Sequence, residues 1–286
     1  MEQSGSLGTI AGIAAIRQWS LNDGYSLITK VHSGTGFGTD RSRGVYDATG
    51  SASGFGLLPT ALIPGSVSSL SLYKGPNAAG NAALGEILSG NFYVESATMN
   101  FNFETNESVN WTANIAAAGV ISQSAGPRPA GVAEIPYSPC AGNISIENKG
   151  GGGEVVIPHI KSAALTITRP ATTSVNSGTI AGAGKCTTIR RKSGAADWTL
   201  ALVSDDGNEN SNIVPGDYNI IKINLAILPT PVFILLKWGI WGARTGLTVN
   251  PETGAFISQT YNASMKQMHG SEVGAFELPG SINLIV

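Results

Sequence analysis

Ala97-Thr-Met-Asn-Phe-Asn-Phe-Glu104 and Val109-Asn-Trp-Thr-Ala-Asn-Ile115, separated by a short turn at Thr105-Asn-Glu107, decide how this chain is read. In the first run Ala97, Met99, Phe101 and Phe103 alternate with Thr98, Asn100, Asn102 and Glu104. In the second, Val109, Trp111, Ala113 and Ile115 alternate with Asn110, Thr112 and Asn114. Strict period two turns successive side chains to opposite faces of a strand, so each run predicts a strand with one dry and one wet face. Joined by the turn, they predict an antiparallel hairpin with arms of about eight residues.

A second hairpin is expected near the C-terminal end. Trp241, Ala243, Leu247 and Val249 alternate with polar or small residues, and Asn250-Pro-Glu-Thr-Gly254 turns the chain. Ile257, Tyr261, Ala263 and Met265 then alternate with Ser258, Thr260, Asn262, Ser264 and Lys266. In both hairpins the wet face is built from Asn, Thr and Ser rather than Lys and Glu. Two readings follow: an ordinary antiparallel sheet with a polar face, or hairpins that pair with those of neighbouring chains into one closed barrel. Long unprotected edges favour such pairing.

The two hairpins belong to a repeat with an offset close to 150. Arg41-Ser-Arg-Gly-Val-Tyr-Asp47 falls on Arg191-Lys-Ser-Gly-Ala-Ala-Asp197, and Ile63-Pro-Gly65 on Val214-Pro-Gly216. Strand-like runs follow each Pro-Gly, Val67 to Tyr73 and Tyr218 to Ile227. Glu104-Thr105 falls on Glu252-Thr253, and upstream Ile10 and Ala14 meet Ile160 and Ala164. A passage rich in proline, Gly126 to Pro139, and the run Gly150 to Gly153 mark the join. The expected organisation is a first domain at 1–133, a linker at 134–142 and a second domain at 143–286. The fold class is all-β, two tandem barrels or sandwiches each with a long extended hairpin. One helix is expected, Asn77 to Leu88, weakened by Gly80 and Gly85.

Composition narrows the function classes. Of 286 residues only 13% are charged, about half the usual share, while 42% are hydrophobic. That is ample material for a core and excludes a disordered polyelectrolyte. A net charge of −2 leaves no basic surplus to hold a nucleic-acid backbone. Cys140 and Cys186 do not make a disulfide framework. The first residues lack the basic and apolar regions of a signal peptide. The apolar stretch Leu225 to Trp241 is interrupted by Pro229, Pro231 and Lys237, short of a membrane-spanning helix.

No catalytic constellation emerges. His32, His159 and His269 have no second ligand at metal spacing, and no Gly-x-Ser-x-Gly elbow occurs. Gly178 to Cys186 is one residue too long for a phosphate loop and has Cys186 where Ser or Thr is needed. Gly34-Thr-Gly-Phe-Gly38 does not complete a dinucleotide fingerprint. Asp205 to Asn210 lacks EF-hand order. Four sequons, at Asn106, Asn110, Asn143 and Asn262, are expected by chance in a chain this rich in Asn. No enzyme, cofactor or metal is expected.

In the order of these strands and turns the chain resembles the tail tube proteins of tailed bacteriophages. The resembling elements are the strand Arg41 to Ser53, Pro64-Gly65 before Leu70-Ser-Leu-Tyr73, and Gly90-Asn-Phe-Tyr-Val-Glu-Ser96 opening the hairpin. Val109 to Ile115, with Gly119 after it, closes the hairpin. Arg191 to Val203, Pro215-Gly216 and Val249 to His269 repeat the order. The resemblance implies β domains whose hairpins join those of neighbours in a cylinder, with stacked rings forming a conduit for DNA. A duplicated chain implies a homotrimer of pseudo-sixfold outline. It also implies partners such as tape measure, terminator or baseplate proteins, DNA in transit only, and a place in the virion tail after synthesis in the host cytoplasm. The lumen would be lined by Thr98, Asn100, Asn102, Glu104, Asn110, Thr112, Asn114, Thr248, Asn250, Ser258, Thr260, Asn262 and Ser264. Thr35 to Gly44 and Ile135 to Gly153 would be loops that stack rings. A tail hub or baseplate protein, a capsid decoration protein and, from another class, a carbohydrate-binding β-sandwich are the alternatives.

Overall fold

The structure, a computed structural model, describes residues 2–5, 10, 12–13, 16–30, 40–76, 85–105, 107–127, 143–148, 153–179, 185–205, 212–226, 232–249, 252, 256–265 and 275–277. It is all-β, as the period-two runs predict, with strands paired antiparallel except for one parallel bridge between Tyr46 and Thr188. Strand β1 (Glu2–Gly5) precedes a long hairpin of β2 (Ile16–Lys30) and β3 (Asp40–Phe55). A 3₁₀ turn, Thr60–Leu62, leads to β4 (Val67–Pro76), β5 (Gly85–Asn102), β6 (Asn110–Ala117) and β7 (Ser122–Gly126). A small hairpin, β8 (Asn143–Asn148) and β9 (Glu154–Ile157), comes next. It is followed by β10 (Ile160–Thr168), β11 (Ala171–Thr179), β12 (Lys185–Ser193) and β13 (Asp197–Ser204). The chain continues through β14 (Tyr218–Ala226), β15 (Val232–Trp241), β16 (Thr245–Val249), β17 (Phe256–Met265) and β18 (Ala275–Glu277).

The pairing order occurs twice. In the first set β2 pairs β3, β3 pairs β6, β6 pairs β5, and β5 also pairs β4 and β7. In the second, β10 pairs β13 and β11 pairs β12, β13 pairs β17, and β17 pairs β15 and β16. There β15 also pairs β14 and β18. Details recur as well. The β2–β3 ladder has a bulge between Ile16 and Gln18, and the β10–β13 ladder has one between Ile160 and Ser162. Gly65 and Gly216 both adopt positive φ, 93° and 89°, which glycine reaches without strain. The Gly65 N–H donates to Val94 O, and the Gly216 N–H to Trp241 O, both at 2.8 Å.

This shared geometry corrects one sequence alignment. The common bulge matches Ile16, not Ile10, with Ile160, because the hairpin loops of the two sets differ in length. Three other expectations are also overturned. Residues 85–88 of the expected helix are strand, since Gly85–Ser89 is paired on both edges, by β4 and β7, and tertiary pairing overrides a weak helical preference. Asp40–Gly44 and Asn143–Asn148, expected within stacking loops, are ladder strands. The first arm of the second hairpin is not continuous. Trp241 ends β15 as a buried anchor, and Gly242–Arg244 interrupts the ladder before β16. The expected linker, 134–142, lies outside the described residues.

Two layers enclose the core. Trp19 of β2 donates its indole N–H to Tyr73 O of β4 at 3.1 Å, and buried Leu70, Leu72, Leu88 and Phe92 fill the space between. In the second set Trp198 of β13 packs directly over Gly239 of β15. A Cβ at Gly239 would fall 2.6 Å from the indole, so glycine is what lets the layers close. Trp19, Trp111, Trp198 and Trp241 are all essentially inaccessible.

The two sets are joined by a ladder between them. Residues Ser96–Asn102 of β5 pair Ser162–Thr168 of β10, seven pairs in unbroken register. Phe103 N–H to Lys161 O and Arg169 N–H to Glu95 O, each 2.8 Å, extend it at both ends.

Candidate functional site: an uncharged sheet face

Successive ladders link eight strands in the order β2–β3–β6–β5–β10–β13–β17–β16, so the polar faces of both hairpins belong to one surface. Its reverse side is dry: Met99, Phe101, Trp111, Ile115, Leu165, Ile167, Leu200, Leu202, Tyr261 and Ala263 are buried. Rows can be followed across the strands. One runs Ser53, Thr112, Thr98, Thr166, Thr199, Ser264. The next runs Asn110, Asn100, Ala164, Ala201, Asn262, and a third Asn102, Ser162, Val203, Thr260, Thr245.

Neutral side chains on this face bond to one another sideways. Thr98 and Thr166 hydroxyls meet at 3.1 Å across the junction between the two sets. The Asn100 amide donates to Asn110 Oδ1 at 3.0 Å, and the Asn114 amide to Ser96 Oγ at 2.8 Å. Ser20 and Ser51 hydroxyls lie 3.0 Å apart, and the Asn262 amide donates to Thr245 Oγ1 at 3.4 Å. These cross-strand contacts tie neighbouring strands together without ion pairs.

Charge brackets the neutral rows: on one side Asp47, midway along β3, pairs with Arg191 of β12 at 2.5 Å, and on the other the charged groups gather round the β10 bulge. Lys161, on the bulge of β10, lies 3.2 Å from Glu104 and 3.6 Å from Asp205. The hydrogen bond to Glu104 holds its ammonium above the usual lysine range. His159 Nδ1 is 3.9 Å from Asp205. Arg17, on the matching bulge of β2, sits over Phe55 with its guanidinium 5.8 Å from the ring centre. Asp197 begins β13 at the opposite end.

Two hollows, about 290 and 260 Å³, flank Ala201 where alanines replace larger side chains. Asn100, Asn110, Ser162 and Ala164 border the first, and Thr166, Thr199, Asn262 and Ser264 the second. A larger hollow of about 530 Å³ lies away from this face, beside Glu86 and Gln123. Among the described residues no group of three His, Cys, Asp or Glu side chains is placed to hold a metal.

Of the residues read from sequence, Thr98, Asn100, Asn102, Asn110, Thr112, Asn114, Thr260, Asn262 and Ser264 share the face, and Ser258 follows on β17. Glu104 stands beyond the end of β5, in its ion pair with Lys161. Asn102 caps the hairpin turn, its Oδ1 accepting from the N–H groups of Glu104 (3.0 Å) and Thr105 (3.3 Å). The Thr248 backbone pairs Ser258, and Asn250 lies outside the described residues. The reading by hairpins missed Ser162, Thr166, Thr199, Ser51 and Ser53. The alternation of Ala163, Leu165 and Ile167 with Ser162, Ala164, Thr166 and Thr168 carries the signal that would have found β10. Compared with known proteins, the chain matches no protein-family model and no curated sequence.

Proposed function

We propose that this chain is a structural subunit of a hollow conduit of the phage tail tube type, assembling in rings whose inner wall is the uncharged sheet face. The observation that carries the reading is that face: eight strands wide, polar and free of ion pairs between its charged margins. Phosphates are held by Lys and Arg, and a wall of neutral hydroxyls and amides offers a passing duplex nothing to grip. The repeated pairing order suits two tandem domains, 1–133 and 143–286, each supplying four strands. Three copies would close roughly 24 strands, which at ~4.8 Å spacing and about 40° tilt give a cylinder about 48 Å across the backbone. The partners on this reading are further copies and other tail proteins, with DNA in transit and no cofactor or catalysis.

Electron microscopy of the purified protein with light scattering for mass tests it. Stacked hollow tubes are expected. Isolated rings would make the chain a hub of the tail end, and a monodisperse monomer at every concentration would remove the proposal. Because Asn102 caps a turn, the test substitution belongs at exposed Thr112, and since the cylinder is too wide for one side chain to obstruct, it adds charge: Thr112→Arg should assemble normally and retard DNA passage through virions by holding phosphates to the wall. Normal delivery by that variant would place the face outside the lumen.

A further inference from the structure

The two sets of strands can be aligned residue by residue through their shared bulge, and the alignment shows which edges are partnered differently in the two sets. Gln18–Gly24 of β2 matches Ser162–Thr168 of β10: each begins after the bulge and pairs with the equivalent stretch of β3 or β13. The outer edge of this stretch of β10 is where β5 docks. On β2 the equivalent edge is held instead by β1, antiparallel like β5, through Glu2–Asn22, Gln3–Leu21, Ser4–Ser20 and Gly5–Trp19. Register puts Glu2, Gln3, Ser4 and Gly5 where Thr98, Met99, Asn100 and Phe101 stand in the internal junction.

The other half of that junction also has a counterpart. Thr245 pairs Thr260 as Thr98 pairs Thr112, and Thr248 pairs Ser258 as Asn100 pairs Asn110. Strand β16 is therefore the second-set equivalent of the end of β5 that docks on β10. Among the described residues its outer edge pairs with no strand. One copy thus presents a β16 edge lacking its partner and a β2 edge covered by a short substitute.

We infer that β1 is a placeholder strand: in assembly, β16 of one copy displaces β1 from β2 of the next, reproducing between chains the ladder that β5 and β10 make within one. Transfer of the internal register sets Thr245 opposite Asn22 of the next copy, and Thr248 opposite Ser20. Such a contact is head-to-tail, the kind that closes rings. The substitute lacks the apolar anchors of the internal junction: Gln3 and Gly5 stand at the register positions of Met99 and Phe101. It covers the pairing edge of the free subunit, which otherwise invites indiscriminate strand addition. The inference rests on the ring-forming reading above and specifies its interface and its control.

A reversible lock tests it. With Cys140→Ser and Cys186→Ser as background, Ser4→Cys and Ser20→Cys form a directly opposed cross-strand pair, within reach of a disulfide. Oxidised protein should stay monomeric by light scattering and microscopy, and reduction should restore assembly. In the converse variant, Gln3→Pro with Ser4→Pro, the substitute strand loses its N–H donors and the critical concentration should fall about tenfold. A third variant, Asn22→Cys with Thr245→Cys in the same background, should give disulfide-linked multimers on assembly. Equal assembly of oxidised and reduced lock, with wild type forming rings, would overturn the placeholder and leave the conduit reading standing. Failure of wild type and every variant to associate would overturn both.

Discussion

Leu165→Ala strikes the strand on which both sets of the fold depend. Leu165 is fully buried on β10, its backbone opposite Met99 of β5 on one side and Leu200 of β13 on the other, both buried. Removing a buried leucine side chain to Cβ costs about 2–5 kcal/mol, the upper part of that range applying where the surroundings cannot collapse. Here the walls are ladder-bound strands on both sides, so about 4 kcal/mol is expected. For a cooperative unit of this size that lowers Tm by about 8 °C. The decisive readout is how the loss is distributed. Since β10 completes the ladder between the sets, hydrogen-exchange mass spectrometry should show β3 and β6 losing protection together with β13 and β17. Thr166→Val, on the opposite face, removes only the hydroxyl contact with Thr98 and should cost about 1 kcal/mol or less. Faster exchange confined to β13 and β17, or two separated thermal transitions, would refute the account of β10 as a shared strand.

Three further outcomes follow from local geometry. Gly50→Ala would set a Cβ 2.0 Å from the Ser20 carbonyl oxygen, a backbone clash no rotamer relieves, and about 3 kcal/mol of stability should be lost in urea unfolding. Arg191→Ala removes a nearly inaccessible guanidinium that bonds Asp47 at 2.5 Å and Ala117 O at 3.1 Å, bracing β12 against β3 and β6; its carboxylate partner is part-exposed, so about 1–3 kcal/mol is expected by the same measurement. Tyr46 has its hydroxyl pushed from near 10 up to about 12, by burial first and then by the charge of Asp23. Between those values the unfolded chain loses a proton that the folded chain keeps, so stability should fall by about 1 kcal/mol, the full shift being discounted for solvent screening, as pH rises through the window, and Tyr46→Phe should flatten that part of the profile.

The fold class was legible because the alternation in β5, β6 and β17 is nearly unbroken, and a strict period of two has one structural meaning. The Pro-Gly turns were legible for a similar reason: Gly65 and Gly216 need positive φ, and few other residues accept it. What remained hidden was pairing at long range. Nothing within Ser162–Thr168 says that its outer edge meets β5, some sixty residues away, rather than water or another chain. The helix expected at Asn77 to Leu88 failed where edges on both sides recruit residues 85–88 into a ladder. The face itself was half visible. Its Asn and Thr residues were read from two hairpins, while the strands that unite them, β10 and β13, carry Ala164, Ala201 and Val203 among their polar positions and so look less distinctive.

The matching hairpins of the two sets differ in mechanical character. Strands β2 and β3 run 15 and 16 residues through a bulge where Tyr25 and Leu27 face Tyr46 and Arg43, whereas their counterparts break outright, at Arg169–Pro170 between β10 and β11 and at Gly194–Ala196 between β12 and β13. The breaks face each other, joined by Gly194 N–H to Pro170 O at 2.9 Å, and a Cβ at Gly194 would lie 2.4 Å from that oxygen. One ribbon carries a bulge where the other carries a joint. The joint rests on the first set: Ser193 Oγ donates to Gly65 O at 2.9 Å, and the Arg169 side chain occupies the space a Cβ on Gly65 would need. The joint of the second ribbon is thereby seated on the Pro64–Gly65 turn of the first set, so a movement at either is felt at the other.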